Sequence, residues 1–106
     1  MTRKNLINIL KSLGFPIRYH SFKTPPKPPY LVYLAVDTDN TFADNKVYEK
    51  YTNYQIELYT NKKDFDTQEK IEEVFDEYDI PWESSEIYIE EEQLYQVIYF
   101  VTVQGG

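Results

Sequence analysis

Apolar residues recur at helical spacing in two parts of the chain, and each stretch predicts an amphipathic helix. The first is expected over about 3–13, where Thr2 can cap it and its buried stripe consists of Leu6, Ile9, Leu10 and Leu13. The second begins at an acidic cap, Asp64 or Asp66, and ends before Pro81. Its expected buried stripe consists of Ile71, Val74, Phe75 and Tyr78.

Alternating or continuous apolar runs predict five strands, over about 17–22, 30–36, 51–60, 82–89 and 94–103. The first pattern is weak and is typical of an edge strand. The runs at 30–36 and 94–103 are apolar at both alternating sets of positions. We therefore expect both of their faces to be covered, by helices or by a neighbouring subunit.

These elements predict one α+β domain over residues 1–106. Its sheet is small, mostly antiparallel, has four to five strands and is flanked by two helices, in the order α-β-β-loop-β-α-β-β. Residues 37–50 are rich in Asp and Asn, which favour turns, so we expect a projecting loop or irregular hairpin there. The proline-rich run at 24–29 is interpreted as a stiff connector, with a docking motif for a proline-binding module as the alternative.

Charge is unevenly distributed along the 106 residues. The chain has 11 basic and 18 acidic side chains, for a net charge of −7. Six basic residues and no acid lie within residues 1–36, so the remaining 70 residues carry 5 basic and 18 acidic groups, or −13. An acidic chain is a poor generic nucleic-acid binder, but two segregated patches suit contacts between unlike surfaces. The basic residues of the first segment are Arg3, Lys4, Lys11, Arg18, Lys23 and Lys27.

No motif supports an enzyme, and no catalytic, cofactor-binding or metal-binding residues are assigned. The chain has no Cys, and its one His, His20, cannot form a histidine metal site. Asp37-Thr38-Asp39 resembles the cation-binding aspartates of sugar-nucleotide enzymes, but those enzymes have much larger nucleotide-binding domains. The same stretch fails as a calcium loop, because Phe42 and Tyr48 occupy the positions that need Gly and Glu. Neither an export signal nor a membrane span is predicted.

Aromatic residues make up 17% of the chain and include 11 tyrosines, which are enriched at protein interfaces. A core of this size cannot bury all of them, so we expect part of the sheet to be covered by another chain. The alternative is a sheet sandwiched by the two helices and the long loop. The acidic segment leaves open a second function class, an acidic DNA mimic that inhibits a DNA-binding protein.

Several segments together resemble one protein family across nearly the whole chain. They are the first helix ending at Leu13-Gly14, the Pro-Pro-Tyr lead into 30–36, the stretch Phe42 to Tyr48, the run Tyr54 to Thr60 before the second helix, and the closing strand Tyr95 to Val103. In these patterns the chain resembles the tail terminator and tail-to-head joining proteins of long-tailed phages and prophages of Gram-positive hosts.

The resemblance implies a non-enzymatic virion protein that forms a ring, usually hexameric, at the head-proximal end of the tail. The ring would stop tube polymerisation and join the tail to the head. Implied partners are further copies of the chain, the tail tube protein and a head connector or neck protein, with DNA contact in the channel. Assembly would occur in the host cytoplasm, without a membrane or a cofactor. The neighbouring neck components are the alternative assignment.

A heterologous ring needs two different complementary patches on each subunit. We therefore expect interface residues in the basic segment and in the 37–50 segment, together with one strand tyrosine. This set comprises Arg3, Lys4, Lys11, Arg18, Lys23, Phe42, Asp44, Asn45, Lys46, Tyr48 and Tyr59.

Overall fold

The computed structural model describes residues 2–43 and 46–104, with the backbone alone described for 37–43 and 46–50. The elements in chain order are α1 (Arg3–Ser12), β1 (Ile17–Tyr19), β2 (Tyr30–Ala43), β3 (Lys46–Thr60), α2 (Phe65–Glu77), β4 (Trp82–Ile89) and β5 (Leu94–Gln104). The described strands form one five-stranded sheet in the order β1-β2-β3-β5-β4. Only the β1–β2 pair is parallel, so the predicted α+β class and mostly antiparallel sheet are confirmed.

Both helices pack on the same face of the sheet. Strand register places Leu31, Leu58 and Val97 side by side on β2, β3 and β5, and all three belong to the core. The core residues contributed by the helices are Leu6, Ile7, Leu10, Ile71, Val74 and Phe75. Since successive strand residues point to opposite faces, the residues between these core positions lie on the other side of the sheet.

Local sequence explains where α1 begins and ends. The Thr2 hydroxyl accepts a hydrogen bond from the Asn5 N–H at 3.3 Å, as an N-cap does. After the helix, Gly14 has φ of +94°, a conformation that side-chain-bearing residues rarely adopt. The helix ends within one residue of the sequence prediction.

The start of α2 selects one of the two predicted caps. Asp64, not Asp66, is the N-cap, and its carboxylate accepts hydrogen bonds from the Thr67 N–H at 3.1 Å and the Thr67 hydroxyl at 2.7 Å. These bonds hold the pKa of Asp64 below its ordinary value.

At the end of α2 the structure differs from the predicted buried stripe. Tyr78 is exposed, because it is the C-cap, where the backbone leaves the helical path. Ile80 takes the buried place instead, and its N–H donates to the Phe75 carbonyl.

Strands β2 and β3 are longer than the apolar pattern indicates. Residues 37–43 and 46–50 continue both strands, with pairs running from Asp37 opposite Asn53 to Ala43 opposite Lys46. Cross-strand hydrogen bonding thus overrides the turn preference of Asp and Asn. Strand β5 ends opposite Tyr51, so beyond that point the described backbone forms a two-stranded ribbon.

Strand β1 is shorter than predicted and lies at the edge of the sheet. It ends at Tyr19, and His20 follows with φ of +68°. The Tyr19 hydroxyl accepts a hydrogen bond from the Ala35 N–H at 3.2 Å, beyond the end of the β1–β2 pairing.

Replacement of Asp64 tests the cap of α2. Asp64→Ala should lower the free energy of unfolding by about 1 kcal/mol, because two hydrogen bonds to the first turn are lost. Asp64→Asn is the matched control and should retain most of this stability, since its side-chain oxygen can still accept. Because folding lowers the Asp64 pKa, its contribution is present above the unfolded pKa of 3.8 and is lost as pH falls. Urea unfolding at pH 7 and pH 3 measures both effects, and equal stability of the Ala and Asn variants at pH 7 would contradict them.

Candidate interaction surface: the open face of the sheet

The side of the sheet opposite the helices, here called the open face, is built by alternate residues of β2 to β5. No described helix covers it. Register aligns its side chains in rows across the strands. From β2 through β3 and β5 to β4, the rows are Tyr30-Tyr59-Gln96-Ile87, Val32-Glu57-Ile98-Ser85 and Leu34-Gln55-Phe100-Glu83.

Large apolar side chains of the open face remain accessible to solvent. Phe100 is 41% exposed and Ile87 is 50% exposed, while Leu34 and Ile98 are half-buried. Val36, at the irregularity of β2, is 51% exposed. Apolar area left in water is unfavourable, and clusters of it mark contact surfaces.

A concavity of about 480 Å³ lies at the Phe100 end of this face. Its lining includes Val36, Asn53, Glu83, Phe100 and Thr102. Asn53 accepts a hydrogen bond from the Thr102 hydroxyl, so these two polar side chains of the lining are paired with each other. Such a surface can receive an apolar side chain of a partner, and Glu83 in its lining supplies a carboxylate.

Tyr59 organises the opposite end of the open face. Its hydroxyl donates to Glu57 Oε1 at 2.8 Å and accepts from the Gln96 side-chain amide at 2.8 Å. Its ring stacks on Tyr30 with 4.9 Å between centroids, and Phe22 from the connector meets Tyr30 edge-on at 5.4 Å. Burial, reinforced by the Glu57 carboxylate, raises the pKa of Tyr59 far above its ordinary value.

Six of the sequence-predicted interface residues lie at three different places in the structure. Arg3, Lys4 and Lys11 lie on the exposed side of α1, on the helical side of the molecule. Arg18 lies on β1 opposite Val32, hence beside the open face, and Lys23 lies in the following connector. Tyr59 lies within the open face itself.

The remaining predicted residues come from the 37–50 segment. Phe42, Lys46 and Tyr48 lie on the two strands of the ribbon, and their side chains are outside the described part of the structure. Asp44 and Asn45 lie outside the described residues altogether.

Basic side chains of the first segment have no carboxylate partner among the described residues. The ion pair found there joins Lys63 to Glu86, both from the later part of the chain. Arg3, Lys4, Lys11, Arg18 and Lys23 are exposed. Among the described residues, no ion pair within the chain therefore neutralises these basic side chains.

Residue-by-residue reasoning missed most of the open face. Ile87, Ile98, Phe100 and Gln96 were not singled out, although the two-sided apolar pattern of 94–103 indicated that both faces needed cover. Which alternate set meets the helices depends on the packing of α1 and α2, and the pattern of one strand does not contain that information.

The described residues hold no cluster of three or more metal-ligating side chains. Among the helices of the described ranges, none is long and apolar enough to cross a membrane.

Comparison with known proteins gives a structural likeness. No protein-family profile matches the chain, and no curated protein sequence matches it. A chain in the solved structure "Virion of native gene transfer agent (GTA) particle" has a similar fold, with a TM-score of 0.61 at 12% sequence identity. The similarity covers 94% of this chain and 92% of that one. The two chains therefore share their fold from end to end, with few identical residues.

Tyr59→Phe tests the hydrogen-bonded end of the open face. Removing the hydroxyl should cost about 1 kcal/mol of unfolding free energy at neutral pH, because Glu57 and Gln96 each lose a bond. Folding raises the Tyr59 pKa, so its contribution is complete below pH 10 and declines as pH rises further. The wild type should therefore lose more stability than Tyr59→Phe between pH 9 and pH 11 in urea titrations. Tyr88→Phe, on the exposed edge strand, is the matched control, and identical alkaline profiles for all three proteins would contradict the assignment.

Proposed function

We propose that this chain is a structural, non-enzymatic protein of a phage-like virion. In the finer assignment it is a tail terminator or tail-to-head joining protein, whose copies form a ring, expected to be hexameric, at the head-proximal end of the tail. The observation that carries the proposal is the end-to-end likeness of its fold to a chain of the gene transfer agent virion. The sequence resemblance to tail terminators supports the same class.

The open face supports a role that depends on partners. A 106-residue enzyme of this fold would need a cluster of reactive or ligating groups, whereas the open face carries apolar and aromatic groups beside a few amides and carboxylates. Such composition is typical of protein interfaces. The expected partners are other copies, the tail tube protein and a head connector or neck protein.

The ribbon of β2 and β3 supports contact with a second molecule. It continues the two strands beyond the last β5 pair, Tyr51 with Gln104, away from the helix-covered core. A two-stranded ribbon gains little stability by itself, so its length is better explained by contacts outside the subunit.

Uncompensated basic side chains fit either of two surfaces in a ring. Arg3, Lys4, Lys11 and Arg18 can face carboxylates of a neighbouring copy or the phosphates of DNA that passes through the channel. If they face DNA in the channel, they would contact any DNA sequence, because phosphates carry no base information.

The acidic DNA mimic has weaker support. Exposed carboxylates do line α2, at Asp66, Glu69, Glu73, Asp76 and Glu77. However, Lys70 interrupts the row and the Trp82 indole N–H donates to Asp76, which is the ordinary behaviour of a solvated helix.

Deletion of the gene for this chain, from the genome that encodes the particle, tests the function. If the chain terminates the tube, particles without it should have tails of uncontrolled length and no attached heads, as seen by negative-stain electron microscopy. If it is a neck component, the tails should keep their normal length and remain detached from heads. Complementation with the wild-type gene is the control. Normal, joined, infectious particles without the protein would overturn the proposal.

Shortening the ribbon tests its contact with a partner. Replacing Asn40–Lys50 by an Asn-Gly turn joins Asp39 to Tyr51, which already face each other in the register, so the sheet and core should fold unchanged. Assembly into particles should fall by at least about tenfold, as expected when a central contact is lost. Circular dichroism and thermal unfolding check the fold, and particle titre checks assembly. A folded, shortened protein that supports normal titre would show that the ribbon contacts no essential partner.

A further inference from the structure

We propose that the acidic outer edge of β4 in one copy of the chain contacts the basic β1 edge of a second copy, so that the sheets of neighbouring copies meet edge to edge. The inference rests on the proposed function only in taking the partner to be another copy of the chain.

Both edges are unpaired among the described residues. β4 pairs with β5 on one side only, and all its residues except the two ends are exposed. At the other edge, β1 covers β2 over only three residue pairs. Exposed edge strands carry free N–H and C=O groups that can pair with another chain.

Charge differs in sign between the two edges. Arg18 on β1 and Lys23 and Lys27 in the following connector are exposed cations. Glu83 on β4 and the turn after it, which contains Glu90, Glu91 and Glu92, are exposed anions. Glu86 is also on β4, but Lys63 partly neutralises it.

Within one subunit, the fold keeps these two edges too far apart for their charges and backbone groups to pair with each other. β1 and β4 are separated by three strands, and four strand spacings of about 4.8 Å place them about 19 Å apart. That is about twice the screening length at physiological ionic strength. Glu92 is set apart from the other anions, because its charge acts on Tyr30 of β2, where it adds to burial in raising the Tyr30 pKa, so the acidic edge is assigned to Glu83, Glu90 and Glu91.

Exposed apolar side chains accompany the charges at both edges. Tyr19 on β1 and Ile87 and Tyr88 on β4 are each about half exposed. A contact between the edges would therefore bury apolar area while pairing opposite charges, which favours association and fixes its orientation.

The two edges are different patches, so the contact is heterologous. Each copy uses its β4 edge toward one neighbour and its β1 edge toward the other. Repetition of such a contact produces a ring if the rotation closes.

Disulfide trapping tests the contact directly, because the chain contains no Cys. Ser21→Cys places a thiol just after β1, and Ser85→Cys places one on β4; both serines are exposed and the replacements are nearly isosteric. Paired strands bring Cα atoms within disulfide range. A concentrated mixture of the two single-Cys chains under mild oxidation should yield the mixed dimer about tenfold above a mixture of Ser12→Cys, on α1, with Ser85→Cys. A yield no higher than this control, at any concentration, would overturn the inference.

Charge reversal then distinguishes the edges from other contacts. Arg18→Glu with Lys23→Glu in the Ser21→Cys chain, or Glu83→Lys with Glu91→Lys in the Ser85→Cys chain, should each lower the yield of mixed dimer about tenfold. Combining the two reversed chains should restore it, because the charges are again opposite. Glu73→Lys with Glu77→Lys on α2 has the same charge change and should have no effect. Failure of the restored pair to cross-link would contradict the proposed pairing.

The edge contact and the proposed function can fail separately. If the mixed dimer forms but removal of the gene leaves normal particles, the contact stands and the virion role fails. If the gene is essential for joined particles but the edges do not cross-link, the role stands and the copies meet through another surface.

Discussion

Helical cover on only one face of the sheet is the constraint on which the remaining features depend. Helices of 10 and 13 residues are about 15 and 20 Å long, and each is about 10 Å wide. Side by side they span about 20 Å, which is the width of five strands. Two helices are therefore enough to cover one face, and the molecule places both on the side of Leu31, Leu58 and Val97. The fold leaves the other face, with Phe100 and Ile98, without a described helix, and only its β2 end is buried, at Tyr30 and Val32.

The open face combines properties of a solvent-exposed surface and of an interface. β5 contributes Ile98 and Phe100, whereas the neighbouring β3 contributes Gln55 and Glu57, which remain compatible with water. Tyr59 contributes to both the apolar and the polar character of this face, because its ring stacks on Tyr30 while its hydroxyl bonds to Glu57 and Gln96. The polar side chains of β3 remain compatible with water, whereas the exposed apolar side chain of Phe100 on β5 favours contact with another surface.

Sequence periodicity predicted the parts of the fold that local rules determine. The helices, the cap at Thr2, the cap at Asp64 as one of two candidates, and the turn of glutamates before Leu94 depend on near neighbours, and the structure confirms them. The stripe of α1 is confirmed at Leu6 and Leu10, whereas Ile7 is buried more deeply than Ile9 and Leu13. The prediction that Tyr78 is buried was wrong, because the spacing of apolar residues does not show at which residue the helix ends. The length of β2 and β3 was underestimated because the pairing of 37–43 with 46–53 outweighs the turn preference of Asp and Asn. Strand order is non-local, so the sequence segregates charge along the chain without showing that Arg18 and Glu83 lie on opposite edges.

A fold can persist at 12% identity because it depends on the pattern of apolar positions rather than on particular residues. The features on which the proposed contacts depend are likewise distributed over faces and edges rather than concentrated in a local motif. The same reasoning relates the open face to the edges. An edge contact continues the sheet from copy to copy, so the open faces of successive copies would line up on one side of the assembly. Phe100 and Ile98, isolated in one subunit, would then become part of a continuous band that a second protein could cover.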